Sequence, residues 1–375
     1  MNLLMKHKPW MIAALLATTS VFGQTQSCGS QKATPACKPA KCGMTQAPMQ
    51  PCVAAYNAPA EINIGMQGEI DFFVGGSFIY WQPLQDNLPI ATILSNYTGP
   101  LSASVTATTV SLDSLQMNFQ YKPGFQVIAG MNLQDDNWVG YAEYTRFYGS
   151  HSTSSSGIAG NAMFLKNGSS ETSVFANTTS NFTCDLNFVD LMLERVYYVG
   201  KNLVMHSAYG ARGAWIMESL HNTFSDAHAL TIDVAITNDS VNQVQRVHSW
   251  EIGPRGGVEL DWDLGMGIRF FGTGYADILY SKYHLQAKDA FTLALVTQNY
   301  TNTSKIRTLR THLQSDMGFG WGTYFDNNAW HLDLLASYGF QVFFDQNMFT
   351  YNLVEPQYSG NLYVHGLTAE ARFDF

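Results

Sequence analysis

From Gly68 onward, apolar and polar residues alternate with a period of two, the pattern of a strand with one apolar and one polar face. It is cleanest from Met117 to Met131. There Met117, Phe119, Tyr121, Pro123, Phe125, Val127, Ala129 and Met131 share one face, and Asn118, Gln120, Lys122, Gly124, Gln126 and Gly130 the other. Trp250, Ile252, Pro254, Val258, Leu260 and Trp262 stand in the same way against Glu251, Arg255, Glu259 and Asp261. Leu309, Leu313, Met317, Phe319 and Trp321 stand against Arg310, His312, Gln314 and Asp316, and Trp330, Leu332, Leu334, Ala336, Tyr338 and Phe340 against His331, Asp333, Ser337 and Gln341.

Ten strands are predicted, at about 69–82, 115–132, 138–149, 184–198, 203–218, 247–262, 264–284, 307–324, 329–344 and 359–375. Most exceed the ~5–6 residues of ordinary strands and suit the ~9–11 that cross a bilayer obliquely. Tight turns at Asp135-Asp136-Asn137, Gly200-Lys201-Asn202, Asp261-Trp262-Asp263 and Asp326-Asn327-Asn328 alternate with long segments at 83–114, 149–183, 219–246, 285–306 and 345–358. Short turns on one side and long loops on the other are the threading of an outer-membrane barrel. The expected fold is therefore all-β, an antiparallel transmembrane β-barrel of about ten strands. Eight to twelve stay open, because 83–114 or 219–246 has room for a further hairpin and Ala229 to Thr237 alternates.

A secreted β-sandwich or soluble barrel also alternates. Against it, aromatics stand at strand ends (Tyr80-Trp81, Trp138, Tyr197-Tyr198, Trp215, Trp250, Trp262, Trp321, Trp330), where a membrane girdle places them. Charges and glycines also fall in mid-strand opposite the apolar stripes, which a packed core would not accept.

Composition points the same way. Only 13% of the 375 residues are charged, about half the ~25% of an average soluble domain. With 29 acids against 20 bases and no basic stripe, nucleic-acid binding is excluded as a function class. The apolar block is confined to the N-terminus, where Lys6, His7 and Lys8, then Trp10 to Ala17, then Val21-Phe22-Gly23 read as a signal peptide over residues 1–23. Loss of Lys6 and Lys8 with it leaves a formal charge of −11.

Residues 24–67 read as a periplasmic extension rich in Pro and Cys, and 68–375 as the barrel. Cys28, Cys37, Cys42 and Cys52 in an oxidising compartment favour disulfides, within the extension or to other envelope proteins. Their gaps of 8, 4 and 9 residues fit no zinc signature. Cys184 is the odd fifth cysteine, free or cross-linking. At the other end Leu367, Ala369, Ala371, Phe373 and Phe375 alternate with Thr368, Glu370, Arg372 and Asp374. This resembles the terminal signal by which the barrel-assembly machinery recognises its clients.

Four stretches resemble the Legionella-type major outer membrane protein family of pore-forming barrels. They are Phe72-Phe73-Val74-Gly75-Gly76-Ser77-Phe78-Ile79-Tyr80-Trp81, Asn187-Phe188-Val189-Asp190-Leu191, Tyr209-Gly210-Ala211-Arg212-Gly213-Ala214-Trp215-Ile216 and Gly253-Pro254-Arg255-Gly256-Gly257-Val258-Glu259. The likeness spans roughly 68–375; the cysteine-rich extension departs from it and is similar to the disulfide-linked envelopes of chlamydia-like bacteria. The family implies a location in the bacterial outer membrane and a pore.

For a pore, alternation makes Glu69, Asp71, Lys122, Asp190, Glu194, Arg212, Glu251, Arg255, Glu259, Arg269, Arg310, Asp316, Asp333, Glu370 and Arg372 the lining residues. Both signs on many strands would set a transverse field across a water-filled constriction passing ions and small hydrophilic solutes. The same groups could instead pair into a salt-bridged plug, since eight strands are filled by side chains and 16 to 18 leave a channel. The alternative function is a disulfide-linked structural envelope protein or surface adhesin with a closed barrel. An enzyme is not expected. His206-Ser207 lies near a turn, and His221, Asp226 and His228 in one loop match no triad or ligand spacing. Nor does Gly253-Pro254-Arg255-Gly256-Gly257 act as a phosphate loop, having no helix after it. No cofactor and no metal are expected. The expected partners are outer-membrane lipid, the assembly machinery, disulfide-linked envelope proteins and further copies of the chain.

Overall fold

A computed structural model describes residues 70–88, 90–95, 111–133, 138–156, 162–164, 173–229, 240–293, 296–326, 329–349 and 360–375. The expected signal peptide, the extension with Cys28, Cys37, Cys42 and Cys52, Glu69, the turn at 135–137 and nearly all of the 229–237 alternation lie outside the described residues.

The ten predicted strands are all present: β1 (Ile70–Gln85), β4 (Lys122–Leu133), β5 (Trp138–Ser156), β7 (Ser173–Tyr198), β8 (Leu203–Ala229), β9 (Ser240–Gly265), β10 (Ile268–Leu293), β11 (Val296–Phe325), β12 (Trp330–Asn347) and β13 (Gly360–Asp374). Each pairs antiparallel with the next, and β13 pairs with β1 from Phe73↔Asp374 to Gln85↔Leu362, so the sheet closes on itself. Paired main-chain bonds between Phe72 and Phe375, 3.1 and 2.9 Å, complete the seam. Along the lower part of the ring closure leaves no strand edge open, which is what allows a sheet to sit in a medium with no water to satisfy its backbone. Three short strands, β2 (Thr92–Ser95), β3 (Ser111–Ser114) and β6 (Ala162–Phe164), join to β7 at one end. No described helix is long and apolar enough to cross a membrane.

Several expectations change. β4 begins only at Lys122, and residues 115–121 fold inward instead, with Met117 buried and Phe119 packed against the interior. A side-chain bond from Gln82 Nε2 to the Phe119 carbonyl (2.7 Å) helps to hold them there. The segments 149–183, 219–246 and 285–306 are mostly not loops. They prolong β5 and β7 to β11, five of which run for 26, 27, 26, 26 and 30 residues. At ~3.3 Å per residue such strands are more than twice as long as a bilayer crossing requires. His221 is therefore on β8 and faces outward, and Asp226 and His228 lie on the same strand.

The β9–β10 turn is not at Asp261–Asp263 but at Met266-Gly267, with φ of +56° and +77°. Two central residues with positive φ make the hairpin turn whose twist matches its strands.

The outward face divides at a sharp level. Toward the short turns it is apolar, as with Leu264, Trp262, Leu260, Val258, Ile252 and Trp250 on β9, all exposed. Above Trp250 it turns polar, while Val247 and Val241 bring apolar side chains to the inward face, between Ser249, Gln245 and Gln243. The same exchange occurs on β8, where Met217 is the last exposed apolar residue and Leu220 and Phe224 are buried inside. The period of two never breaks; only the face that carries the apolar residues changes. Below the exchange the medium outside is lipid and the lumen is polar; above it, water is outside and the interior is a packed core.

Trp215 and Trp250, directly paired, mark this border, and at the turn end Trp330 stacks on Phe373 with centroids 5.1 Å apart. Trp81, expected in a girdle, points inward and is buried against Phe147.

Candidate functional site: the layered lumen

Three layers fill the barrel. The middle one is built by the glycine-rich stretches that carried the family resemblance. Asp190 on β7 is the cross-strand partner of Arg212 on β8. The guanidinium holds both carboxylate oxygens, Nε to Oδ1 at 2.7 Å and Nη2 to Oδ2 at 2.6 Å. Arg255 on β9 donates to both oxygens of Asp277 on β10, at 3.1 and 2.9 Å. Gln314 ties the pairs together, accepting from Arg255 at 2.7 Å and donating to Asp316 at 2.9 Å. His312 lies within reach of Asp277.

Aromatic rings close the layer. Arg212 sits 5.0 Å over Phe188 and Arg255 4.3 Å over Tyr275, a stacking that favours a weakly hydrated guanidinium. Gly257 makes room for Tyr275: a Cβ there would lie 2.2 Å from the ring. Asp190, Arg212, Arg255 and Asp277 are buried, so the charges sit in pairs that satisfy one another.

Above this layer a cluster of buried apolar side chains packs together with buried polar groups, Glu218, Asn222, Gln243 and Gln245 among them. Phe188 and Phe343 stack at 5.4 Å, and Phe182 packs edge-on against Phe119 and Phe349. Cys184 lies among them, fully buried and free. Glu251 and Arg310, expected to line a pore, flank Tyr283 here: its hydroxyl is 3.3 Å from Glu251, and Arg310 lies 5.7 Å over its ring and 3.5 Å from Asp345. Lys122 is half-exposed at the far end of β4.

Below the middle layer lies a cavity of about 1000 Å³ reaching the turn end, where Gly265, Met266 and Gly267 join its lining. Nine carboxylates line it against two arginines, Arg269 and Arg372. Of the expected lining residues, Asp71, Glu194, Glu259, Arg269, Asp316, Asp333, Glu370 and Arg372 are here. Arg269 bonds Asp333 through both terminal nitrogens and approaches Asp261 at 3.3 Å. His206 lies 3.2 Å from Asp261 and 3.8 Å from Glu194, which also accepts from Tyr141 at 2.7 Å. The imidazole is thus engaged by carboxylates, not by a nucleophile. Among the described residues no group of three side chains that could hold a metal comes together.

Asp277, Glu143, Asp261, His312 and Gln314 were not among the expected lining residues. Glu143 was detectable, since Tyr141, Glu143 and Thr145 alternate with Ala142 and Tyr144. Asp277 was not: its inward neighbours Tyr275 and Leu279 are no more polar than the outward Ala276 and Ile278.

Among solved structures the chain is similar to the outer membrane protease OmpT of Escherichia coli, at 12% identity over 81% of this chain and 96% of that one, with a TM-score of 0.31. A FadL homologue of Pseudomonas aeruginosa is similar at 6% identity, over 83% and 91%, with a TM-score of 0.27. Likenesses this distant carry no inference about activity. No curated protein matches the chain significantly. The sequence model described as "Legionella pneumophila major outer membrane protein precursor" does match, over residues 68–375, the whole of the barrel. That match covers most of the chain, whose strands close into an antiparallel ring, and the chain belongs to the Legionella major outer membrane protein family, a family of the bacterial outer membrane.

Proposed function

We propose that this chain is an outer-membrane channel for ions and small hydrophilic solutes, with a preference for cations, whose passage is limited by the Arg212–Asp190 and Arg255–Asp277 layer. The observation that carries the reading is the cavity below that layer, about 1000 Å³ and lined by nine carboxylates against two arginines. A low-dielectric wall around one sign of charge focuses the field and concentrates cations at the mouth. Conduction then requires the paired arginines and the segment 115–121 to move, so the expected pore is narrow and intermittently open.

Planar-bilayer recording of the purified protein under a salt gradient tests this. Small steps with a cation-selective reversal potential are expected, and Arg212→Ala with Arg255→Ala should raise the step size. Absence of steps above background in both wild type and double variant overturns the reading.

The packed core above the layer favours a second reading, a closed barrel presenting a rigid surface head and linked through the cysteine-rich extension to other envelope proteins. Gels of whole envelopes run with and without thiol discriminate: a ladder that collapses on reduction supports it, and a single unshifted band contradicts it.

A further inference from the structure

Directly above the apolar belt, the outward faces of β9, β10 and β11 become basic. Register aligns Trp250, Lys282 and Arg307 in one row and His248, His284 and Lys305 in the next; Arg246 and Lys288 follow one and two outward positions beyond that row. All of these basic side chains are exposed. Direct cross-strand neighbours stand ~4.5–5.5 Å apart and same-face rows ~7 Å apart. Lys282, Arg307 and Lys305 therefore converge on a patch about 10 Å across.

Like charges this close repel. No carboxylate lies on the described outward faces of β9, β10 or β11. The wall formed by β5 and β7 differs at the same border, where Arg146 is paired with Asp185 at 3.0 Å. The basic patch also has a fixed neighbour, since Ile252, Tyr280, Ile278 and Leu309 are exposed immediately below it. A ligand that fits must combine a multiply anionic head with long apolar chains.

We propose that this surface binds a phosphorylated glycolipid of the outer leaflet, its phosphates seated between Lys282, Lys305 and Arg307 and its acyl chains lying along Ile252, Ile278, Tyr280 and Leu309. Arginine offers a fork to phosphate and lysine a mobile point charge, and together they surround the head from two strands. The lipid stabilises the part of the wall where the strands leave the membrane, whether or not the lumen conducts.

Native mass spectrometry of the full chain in detergent tests the assignment, using bisphosphorylated lipid A as probe and its dephosphorylated form as comparison. Each basic group at an anionic surface contributes about a fivefold factor. Lys282→Gln, Lys305→Gln and Arg307→Gln together should therefore weaken binding of the phosphorylated form on the order of a hundredfold. The dephosphorylated form should bind wild type and variant alike, and Lys201→Gln, at the opposite end of the barrel, should change nothing. If the triple variant does not fold, judged by heat-modifiable migration on gels, Lys305→Gln alone is read for its fivefold loss. Equal binding of both lipids by the wild type, or undiminished binding by the folded variant, overturns the proposal.

Discussion

Arg212 and Asp190 face each other across β7 and β8, and the guanidinium holds both carboxylate oxygens at 2.7 and 2.6 Å with neither residue open to solvent. Removing one member leaves a buried charge without its partner, whereas replacing both by apolar groups of similar volume leaves none. Arg212→Ala is expected to destabilise the barrel by about 3–5 kcal/mol, and Arg212→Met with Asp190→Leu by much less. Urea unfolding in detergent micelles, followed by tryptophan emission, checks the ordering; equal losses in both variants would contradict it.

The exchange of apolar faces locates the membrane border, and charge substitutions should report it. Val258 lies within the outward belt of β9, Asn242 on the same strand above it. Val258→Arg should cost about 2–4 kcal/mol of folding free energy in lipid vesicles. Asn242→Arg, facing water, should stay within about 0.5 kcal/mol of wild type.

The β9–β10 turn contains a correctable strain. Met266 adopts φ of +56° although its side chain is almost fully exposed and packs against little. Asparagine tolerates this conformation, and Asn-Gly is the favoured pair for such a turn. Met266→Asn is expected to stabilise by about 1 kcal/mol. Gly267→Ala should do the reverse, because its Cβ would meet the Gly322 carbonyl oxygen at 2.3 Å. Midpoints of the same urea transitions measure both.

His151 reports on the segment 115–121 that folds inward. Its ring accepts from the Gln120 amide at 3.1 Å and packs on Phe119. Burial, then the Lys122 charge, lowers its pKa from 6.5 to about 4. Because the folded value lies below the unfolded one, the unfolded or released state binds more protons between those limits. Stability of the inserted segment is full above pH 6.5 and falls as pH drops toward 4. Hydrogen exchange at Gln120, corrected for its intrinsic rate, should accelerate from pH 7.5 to 5, and His151→Phe should abolish that pH dependence.

Cys184, with no exposed surface, should resist a maleimide in the folded barrel and react fully after denaturation. The measurement is made with Cys28, Cys37, Cys42 and Cys52 replaced by serine. Labelling of the folded protein would contradict the packed upper core.

Period-two alternation located the ten strands of the ring and gave the direction of most of their charged residues, because in a strand side-chain direction follows from parity alone. Asp190, Arg212, Arg255 and Arg269 were all placed on the inward face from parity. Parity does not contain depth. Phe182, Leu186 and Val247 alternate just as Leu260 and Trp262 do, yet the first three face a core and the last two face the belt. Parity equally cannot say that Met117 and Phe119 leave the wall and enter the lumen, since their pattern continues that of β4 without a break. The partners Asp277 and Gln314 likewise stand 22 and 59 residues from Arg255. The chain alone therefore settled the face of most side chains that stay in the wall. Only closure of the ring decided what lies opposite that face at each level: lipid outside and paired charge within along the belt, water outside and a packed core with buried polar groups within above it.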